Sequence, residues 1–365
     1  MAFPDGWGRR HKITIANTEV DGSSALTDYP MLVTLDHLDT EVVDAGSNSA
    51  LNGGGDLRFS SDLAGASQLA CEVVDFVTNV TAGSRKCEVY VSVPSVSASV
   101  DTDIYVWYKK TGEVQPAVTN VYGRNAVWAN YEVVCHDGGP TDSTGNTTPV
   151  KTGSPTTTTG KFTSATNYGL DSDLWWYEST VVNSSVFSMQ VWAYIDNTSV
   201  TTKGQGALAL LQNSGDRAVL AADNSPNEWG NWDDQNSWLR YGQAQELDVW
   251  RSAAVVVNNT VDRRGYYEGA KLATESAINL TDIAKTKFRM GEAGQGAETW
   301  DGLLCEARLT YLALSDDWIS TEYSNQTSPA AFASAGTPVS VGAINNDLVS
   351  AMHFQRHYEP IAMGE

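Results

Sequence analysis

The sequence is poor in basic residues. It has 23 Lys and Arg against 44 Asp and Glu, which gives a formal net charge of −21 at pH 7. Nucleic-acid binding depends on Lys and Arg that neutralise phosphates, so this balance argues against DNA and RNA as partners. Acidity of this kind favours solubility, and by itself it indicates no particular ligand.

Long apolar runs are absent as well. A membrane-spanning helix needs about 18 or more consecutive apolar residues, and no such run occurs, so we expect no membrane insertion. Residues 1–12, MAFPDGWGRRHK, lack the apolar core of a secretory signal peptide. The sequence therefore predicts synthesis in a host cytoplasm without a signal peptide.

Cysteines are few and show no zinc-ligand spacing. The four are Cys71, Cys87, Cys135 and Cys305, with no C-x-x-C pair among them. Pairing the predicted strands 69–77 and 87–93 about the turn at 79–84 places Cys87 opposite Phe76. We therefore predict four free thiols packed as small apolar groups, with a Cys71–Cys87 disulfide as the alternative.

Catalytic motifs are missing too. Glycosidases need two carboxylates facing one cleft, and no strand carries the closely alternating Glu and Asp of concanavalin-like glucanases. There is no G-x-S-x-G, no H-E-x-x-H and no glycine-rich phosphate loop. We therefore predict that the protein is not an enzyme and that it uses no cofactor. Calcium remains possible, although no specific motif supports it.

What the sequence does contain is apolar and polar alternation with period two. Segments such as YPMLVTL, CEVYVSV, VFSMQVWAYI and EARLTYLAL place β-branched or aromatic residues on one face, and turn-forming residues separate them. One stretch, residues 315–326, is typical of a helix, with Ser315 as its N-cap. The pattern predicts an all-β protein made of antiparallel sandwiches.

The first part of the chain is similar to a bacterial and phage family of unknown function that precedes lectin-like modules. That family begins W-x-x-R-x-x-I-x-I, which reads WGRRHKITI here, and LTDYPMLVTLD and VYVSVPSVSASVDTDIYVWYKK follow in the same order. The resemblance implies an N-terminal β-sandwich over residues 1–125.

The second part resembles the concanavalin A-like, laminin-G-type jelly roll. YEVVCHDGGPTDSTGNTTP is similar to the opening pattern of that family, and the block from FRMGEAGQG to SPAAF is similar to its end. The resemblance implies a jelly roll over residues 126–338 that binds carbohydrate or protein, followed by an extended arm at 339–365. Two departures, Cys305 and Glu268 at positions where the family has Asp, weaken any calcium site carried by those positions.

An aromatic cluster at 227–242, NEWGNWDDQNSWLRYG, is the candidate ligand site. Aromatic faces stack on sugar rings, and carboxylates and amides bond to hydroxyls. The first half has the composition of a loop, whereas the alternation from Trp238 towards Trp250 indicates core strands. The candidate glycan-binding residues are Trp229, Asn231, Trp232, Asp233 and Asp234.

His136 lies next to Cys135 on a predicted strand. Adjacent side chains of a strand point to opposite faces, so these two residues cannot easily share a metal ion. In the resemblance this histidine is structural, and we predict that role here.

The segment at 340–365 lies beyond the predicted jelly roll and contains Met352, Phe354, Arg356 and Tyr358. Aromatic residues and Arg suit docking, so we predict an arm that binds neighbouring subunits; a free tail is the alternative. Together these features predict a non-enzymatic bacteriophage virion protein, on the tail or decorating the particle. We expect it to be oligomeric there and to recognise host-surface polysaccharide or protein. The alternative is a bacterial glycan-processing enzyme or its carbohydrate-binding accessory module.

Overall fold

The computed structural model describes residues 3–169, 173–183, 186–196, 204–211, 217–223, 227–232, 238–259, 261–275, 284–293 and 298–342. These residues form 24 strands and four short α-helices, and every pairing between named strands is antiparallel. The predicted all-β class is confirmed. Within the described ranges, no helix is long and apolar enough to cross a membrane.

The first sandwich contains seven strands from the N-terminal part of the chain and one short helix. They are β1 (Arg9–Ile15), β2 (Leu26–Val33), α1 (Thr40–Val43), β3 (Arg58–Ser60), β4 (Gln68–Leu69), β5 (Cys71–Val77), β6 (Lys86–Val96) and β7 (Thr102–Tyr108). One sheet contains β1, β7, β3 and β4 in that order, and the other contains β2, β6 and β5. The alternation of the sequence decides which side chains lie between them: Ile13 and Ile15 are buried, whereas Lys12 bonds Asp103 at the surface.

The second sandwich follows helix α2 (Arg124–Val127) and is larger. Its strands are β8 (Val133–Cys135), β9 (Pro149–Thr152), β10 (Thr156–Thr159), β11 (Ser164–Tyr168), β12 (Leu174–Asn183), β13 (Phe187–Ile195), β14 (Gln205–Leu211), β15 (Arg217–Asp223), β16 (Glu228–Trp232), β17 (Trp238–Ala244), β18 (Trp250–Asn259), β19 (Asp262–Tyr267), β20 (Ala270–Glu275), β21 (Ala284–Met290) and β22 (Gly302–Thr310). One sheet has the order β10-β11-β22-β13-β18-β19-β20, with β8 beside β22. The other has the order β17-β16-β15-β14-β21-β12-β9.

Helix α3 (Asp316–Thr327) joins the two sandwiches. Ser315 accepts a hydrogen bond from the Trp318 backbone N–H, as the predicted N-cap requires. The Trp318 ring packs edge-on against Tyr29 of the first sandwich. The Asn325 amide bonds both the backbone N–H and the carbonyl of Leu32, so this helix is fixed to strand β2 of the first sandwich.

After α3 the chain returns to the first sandwich, which corrects the predicted boundary at 338. Helix α4 (Pro329–Phe332) buries Phe332 in the first core, and β23 (Ala333–Ala335) and β24 (Val339–Ser340) both pair with β1. Residues 329–340 therefore complete the first sandwich, because apolar residues here fill its core. The predicted arm residues Met352, Phe354, Arg356 and Tyr358 lie outside the described residues.

The predicted absence of disulfides and the Cys87–Phe76 pairing are confirmed, and three of the thiols are buried as expected; Cys87 is only half-buried. All four thiols are free, and Cys87 pairs with Phe76 across β5 and β6. Cys135 and His136 point to opposite faces: the Cys135 thiol contacts the Tyr177 hydroxyl in the second core, whereas His136 faces the first sandwich. A metal shared by these two residues is thereby excluded.

Candidate functional site

The predicted aromatic loop is a buried strand, so its exposure was predicted wrongly. Trp229 and Trp232 lie on β16 and expose only 1% and 3% of their surface. Trp229 faces the sandwich core and lies 5.8 Å from the Trp300 ring, and Trp232 packs on the opposite face of the sheet. Asp233 and Asp234 lie outside the described residues.

Asn231 is also used internally. It is buried, and its amide nitrogen donates to the Tyr241 hydroxyl at 2.8 Å; that hydroxyl in turn donates to the Ala254 carbonyl at 2.9 Å. Trp238, expected in the core, is only half-buried because β17 is the edge strand of its sheet, and its ring lies 4.5 Å from that of Trp232. Trp229, Asn231 and Trp232 therefore stabilise the sheet and present no accessible ring or amide for a sugar.

The two positions that depart from the jelly-roll family are occupied by protein contacts. The Glu268 carboxylate accepts hydrogen bonds from the Ser252 backbone N–H at 2.8 Å and from the Tyr323 hydroxyl at 2.7 Å. Cys305 is fully buried beside Trp192. Protein donors therefore already use both Glu268 oxygens.

A cluster of charged residues occupies the boundary between the sandwiches. His136 follows β8, and its two ring nitrogens lie 2.8 Å from Glu306 of β22 and 3.0 Å from Glu72 of β5. Burial opposes a charge on the imidazole, but the two carboxylates outweigh it and raise the pKa of His136 to about 10. His136 is therefore an imidazolium that bridges the two sandwiches, in agreement with its predicted structural role.

A second cation, Arg308, also pairs with the carboxylates of this cluster. Arg308 donates to Glu306 and Glu322, and its guanidinium lies over the Tyr90 and Trp128 rings. Burial would raise the pKa of Glu306, but His136 and Arg308 lower it to about 2. Breaking one member of such a buried network leaves an uncompensated charge, so the contacts depend on one another.

Glu88 is the exception in this cluster. Burial, and then the charge of the Glu306 carboxylate, raise the pKa of its carboxyl to about 8, although His136 and the Thr163 hydrogen bond oppose the shift. The Thr163 hydroxyl of the second sandwich donates to Glu88. At neutral pH the Glu88 carboxyl therefore retains its proton.

Glu88, His136 and Glu306 place one ligand atom each within 4.8 Å of one another, as in a metal centre. A metal-bound imidazole must release a proton from one ring nitrogen, however, and here each nitrogen contacts a carboxylate that stabilises the charged form. The arrangement therefore favours a protonated His136 and a protonated Glu88 over a bound metal ion.

A cavity of about 550 Å³ opens next to this cluster, between the sandwiches. We call it the acidic cleft. Strand β5 lines one side and the segments after β8 line the other, and its polar groups include Glu72, Asp75, Asp137, Arg124 and Gln115. Burial raises the pKa of Asp137 above its ordinary value. Arg124 makes no ion pair with any described residue, although it contacts the side chain of Asn125.

The rim of the acidic cleft is apolar and exposed. It is formed by the connection between the two sandwiches, where Val118 and Pro116 line the cavity. Nearby, Val114 and Val121 expose 71% and 72% of their surface, and Tyr122 is also exposed. Grouped exposed apolar side chains beside a polar cavity are typical of binding surfaces.

Comparisons with known proteins give only structural likenesses. No protein-family model matches the chain, and no curated protein matches it. Domain 4 of AbnA, a GH43 extracellular arabinanase from Geobacillus stearothermophilus solved with arabinotriose, is 15% identical. Its TM-score is 0.47, and the match covers 53% of this chain and 98% of that one.

Two toxin domains are similar at the same level. The binding domain of Paraclostridial Mosquitocidal Protein 1 is 14% identical with a TM-score of 0.42, over 53% of this chain and 52% of that one. The botulinum neurotoxin serotype C1 binding domain is 12% identical with a TM-score of 0.42, over 55% and 52%. These likenesses concern the β-sandwich architecture alone.

Proposed function

We propose that the protein is a non-catalytic recognition protein that binds a host-surface glycan in the acidic cleft. The observation that carries this proposal is the cavity of about 550 Å³ between the two sandwiches, lined by carboxylates, an amide and Arg124, which forms no ion pair among the described residues and bonds only the Asn125 side chain there. Carboxylate and amide oxygens accept hydrogen bonds from sugar hydroxyls, and Arg124 donates to sugar oxygens. The exposed aliphatic rim adds an apolar surface for the carbon face of a ring.

Two carboxylates of the acidic cleft already have internal partners, which favours binding over catalysis. Glu72 accepts from the Ser143 hydroxyl at 2.6 Å and contacts His136 at 3.0 Å. Asp75 pairs with Lys86 at 2.9 Å. A glycosidase needs two carboxyl groups free to exchange a proton or attack the sugar, and these contacts restrain both.

The setting that we propose is a bacteriophage virion, on the tail or as a particle decoration. This part of the proposal is supported by the resemblance of the N-terminal part of the chain, and the cleft does not bear on it. The segment at 343–365 is proposed to bind neighbouring virion subunits. Analysis of purified particles by mass spectrometry tests the setting, and absence of the protein from the particles would overturn it.

A glycan array tests the cleft. We expect Arg124→Gln and Val118→Glu to reduce glycan binding, because the first removes a donor and the second places a charge on the rim. Lys12→Gln and Val80→Glu are matched controls, since Lys12 pairs with Asp103 at the surface and Val80, 79% exposed, does not line the cleft. Equal binding by all four variants would refute the proposed site. Release of shortened sugars would instead support the glycan-processing alternative.

A further inference from the structure

A second cavity, of about 680 Å³, lies on the other side of Thr163, which lines both cavities. We call it the basic cleft. The first sandwich contributes Leu35 and Arg85, and the second contributes Thr159, Lys161 and Phe162. It is a separate space from the acidic cleft, with the opposite balance of charge.

The basic cleft is unusual in a chain of net charge −21, because two of its three cations, Arg85 and Lys161, form no ion pair among the described residues. The Arg85 guanidinium donates to two backbone carbonyls, at 2.8 Å to Asn79 and 3.4 Å to Val80, and forms no ion pair among the described residues. The Lys161 ammonium lies 4.8 Å from the centre of the Trp192 ring and likewise forms no ion pair within the described part of the chain. Both cations are therefore oriented by neutral groups and remain available to an anion.

The other charged groups of the basic cleft leave a small positive excess. Lys86 is neutralised by Asp75, and Asp36 is a single acidic side chain in the wall. Glu88 also lines the cavity, but its carboxyl retains a proton at neutral pH. Two available cations face one carboxylate, so the cleft suits one anionic group and not a chain of phosphates.

We propose that the basic cleft binds an acidic sugar, with Arg85 and Lys161 contacting its carboxylate or sulfate group. Thr159, Thr163 and Thr327 line the same cavity; the Thr163 and Thr327 hydroxyls donate to Glu88 and to the Tyr323 carbonyl, and their oxygens can still accept hydrogen bonds from sugar hydroxyls. Leu35 and Phe162 supply apolar surface for its carbon face. The site goes beyond the acidic cleft and does not depend on ligand binding there.

Titration calorimetry with the whole chain tests this site. The probes are trigalacturonate and its methyl ester, which share every hydroxyl and differ in charge, with a sulfated trisaccharide to separate sulfate from carboxylate as the source of the anion. We expect the methyl ester to bind about tenfold more weakly or not at all, because charge-assisted hydrogen bonds are lost. We expect added NaCl to weaken the binding of the charged probe.

Variants locate the binding. Lys161→Gln and Arg85→Gln should each weaken binding of the charged probe about tenfold, whereas Arg85→Lys should retain part of it. Lys12→Gln is the control, because Lys12 lies on the outer face of the first sandwich in a pair with Asp103. Equal thermal unfolding temperatures show that the variants are folded.

Three results would overturn the assignment. These are equal binding of trigalacturonate and its methyl ester, unchanged binding by Lys161→Gln, and loss of binding in Arg124→Gln alone. The last would place the acidic sugar in the acidic cleft, and so distinguishes failure of this inference from failure of the proposed function.

Discussion

Glu88 of the first sandwich and Glu306 of the second bring their carboxyl groups within 4.8 Å of each other in a buried boundary. Only one of them is ionised at neutral pH: the pKa of Glu306 is lowered to about 2 by His136 and Arg308 despite its burial, whereas burial raises that of Glu88 to about 8. The boundary therefore contains a proton that the unfolded chain would release near its ordinary pKa of 4.5. This asymmetry makes the junction sensitive to pH.

Glu88→Gln should stabilise the fold increasingly as the pH rises from 5 to 8. In that interval the folded wild type retains a proton on Glu88 that the unfolded chain lacks, so its free energy of unfolding falls with pH by up to about 1.4 kcal/mol per unit. Glutamine resembles the protonated acid and removes this dependence. Urea unfolding of both proteins at pH 5, 6.5 and 8 measures the difference, which should be small at pH 5.

The control for this prediction is Glu178→Gln, because Glu178 is exposed and lies 3.8 Å from Lys287. Its difference from wild type should not change with pH over the same range. A constant difference for Glu88→Gln as well would show that Glu88 is ionised in the folded protein.

His136→Gln should destabilise the protein strongly. It removes the positive charge between Glu72 and Glu306 and leaves buried carboxylates without compensation, a loss of about 3–5 kcal/mol in comparable networks. The stabilisation from His136 is complete below pH 6.5 and disappears as the pH rises towards 10, so the effect should shrink in alkali. Chemical unfolding at pH 6 and pH 9.5 checks both statements.

His11→Gln is a useful comparison, since His11 is buried but burial lowers its pKa. Its effect on stability should not decrease between pH 6 and 9.5. A His136→Gln effect of equal size at both pH values would contradict an imidazolium at this position.

Trp229→Ala should unfold or severely weaken the second sandwich and should not change ligand binding selectively. The indole is 1% exposed and packs among core residues, and Trp→Ala changes in cores cost about 3–5 kcal/mol. Thermal unfolding followed by tryptophan fluorescence measures the loss. Leu312→Ala, at a side chain that is 48% exposed, is the control with a small effect. If the Trp229→Ala protein were stable and bound glycan more weakly, this result would support the aromatic glycan site that the sequence predicted.

Phe332→Ala should destabilise the first sandwich by about 3–5 kcal/mol, because Phe332 is fully buried in its core. Ending the chain after residue 335 should also weaken it, since the pairing of Val339–Ser340 with Arg9 and Arg10 is lost. Ending the chain after residue 342 keeps all of these contacts. Hydrogen exchange of the β1 amides distinguishes these variants. Equal protection of the amides in all of them would contradict the conclusion that residues 329–340 complete the first sandwich.

The sequence predicted well those strands that have one buried face and one solvent-exposed face. Alternation located β5 and β6, and pairing them about their turn placed Cys87 opposite Phe76, as observed. It failed at β16, where Trp229 and Trp232 are buried on opposite faces of the sheet. A strand covered on both sides has no alternation to detect, so Gly230 and Asn231 looked like a loop.

The charged cluster was not predictable for a different reason. Glu72, Glu88 and Glu306 each lie in strands whose apolar residues face a sandwich core, and in sequence such acids indicate a solvated face. They are buried because the outer faces of the two sandwiches pack against each other. This packing is a tertiary contact, so the local alternation of the sequence gives no sign of it. Both clefts arise at the same meeting of faces.

The return of the chain to β1 makes the second sandwich an insertion within the first. On the ribosome, residues 9–108 emerge before the second sandwich but lack β23, β24 and Phe332, which are made after it. The second sandwich, whose strands are contiguous in sequence, can complete its sheets before the first can. The order of maturation is therefore the reverse of the order of synthesis, and truncated products of translation would contain a finished second sandwich attached to an open first one.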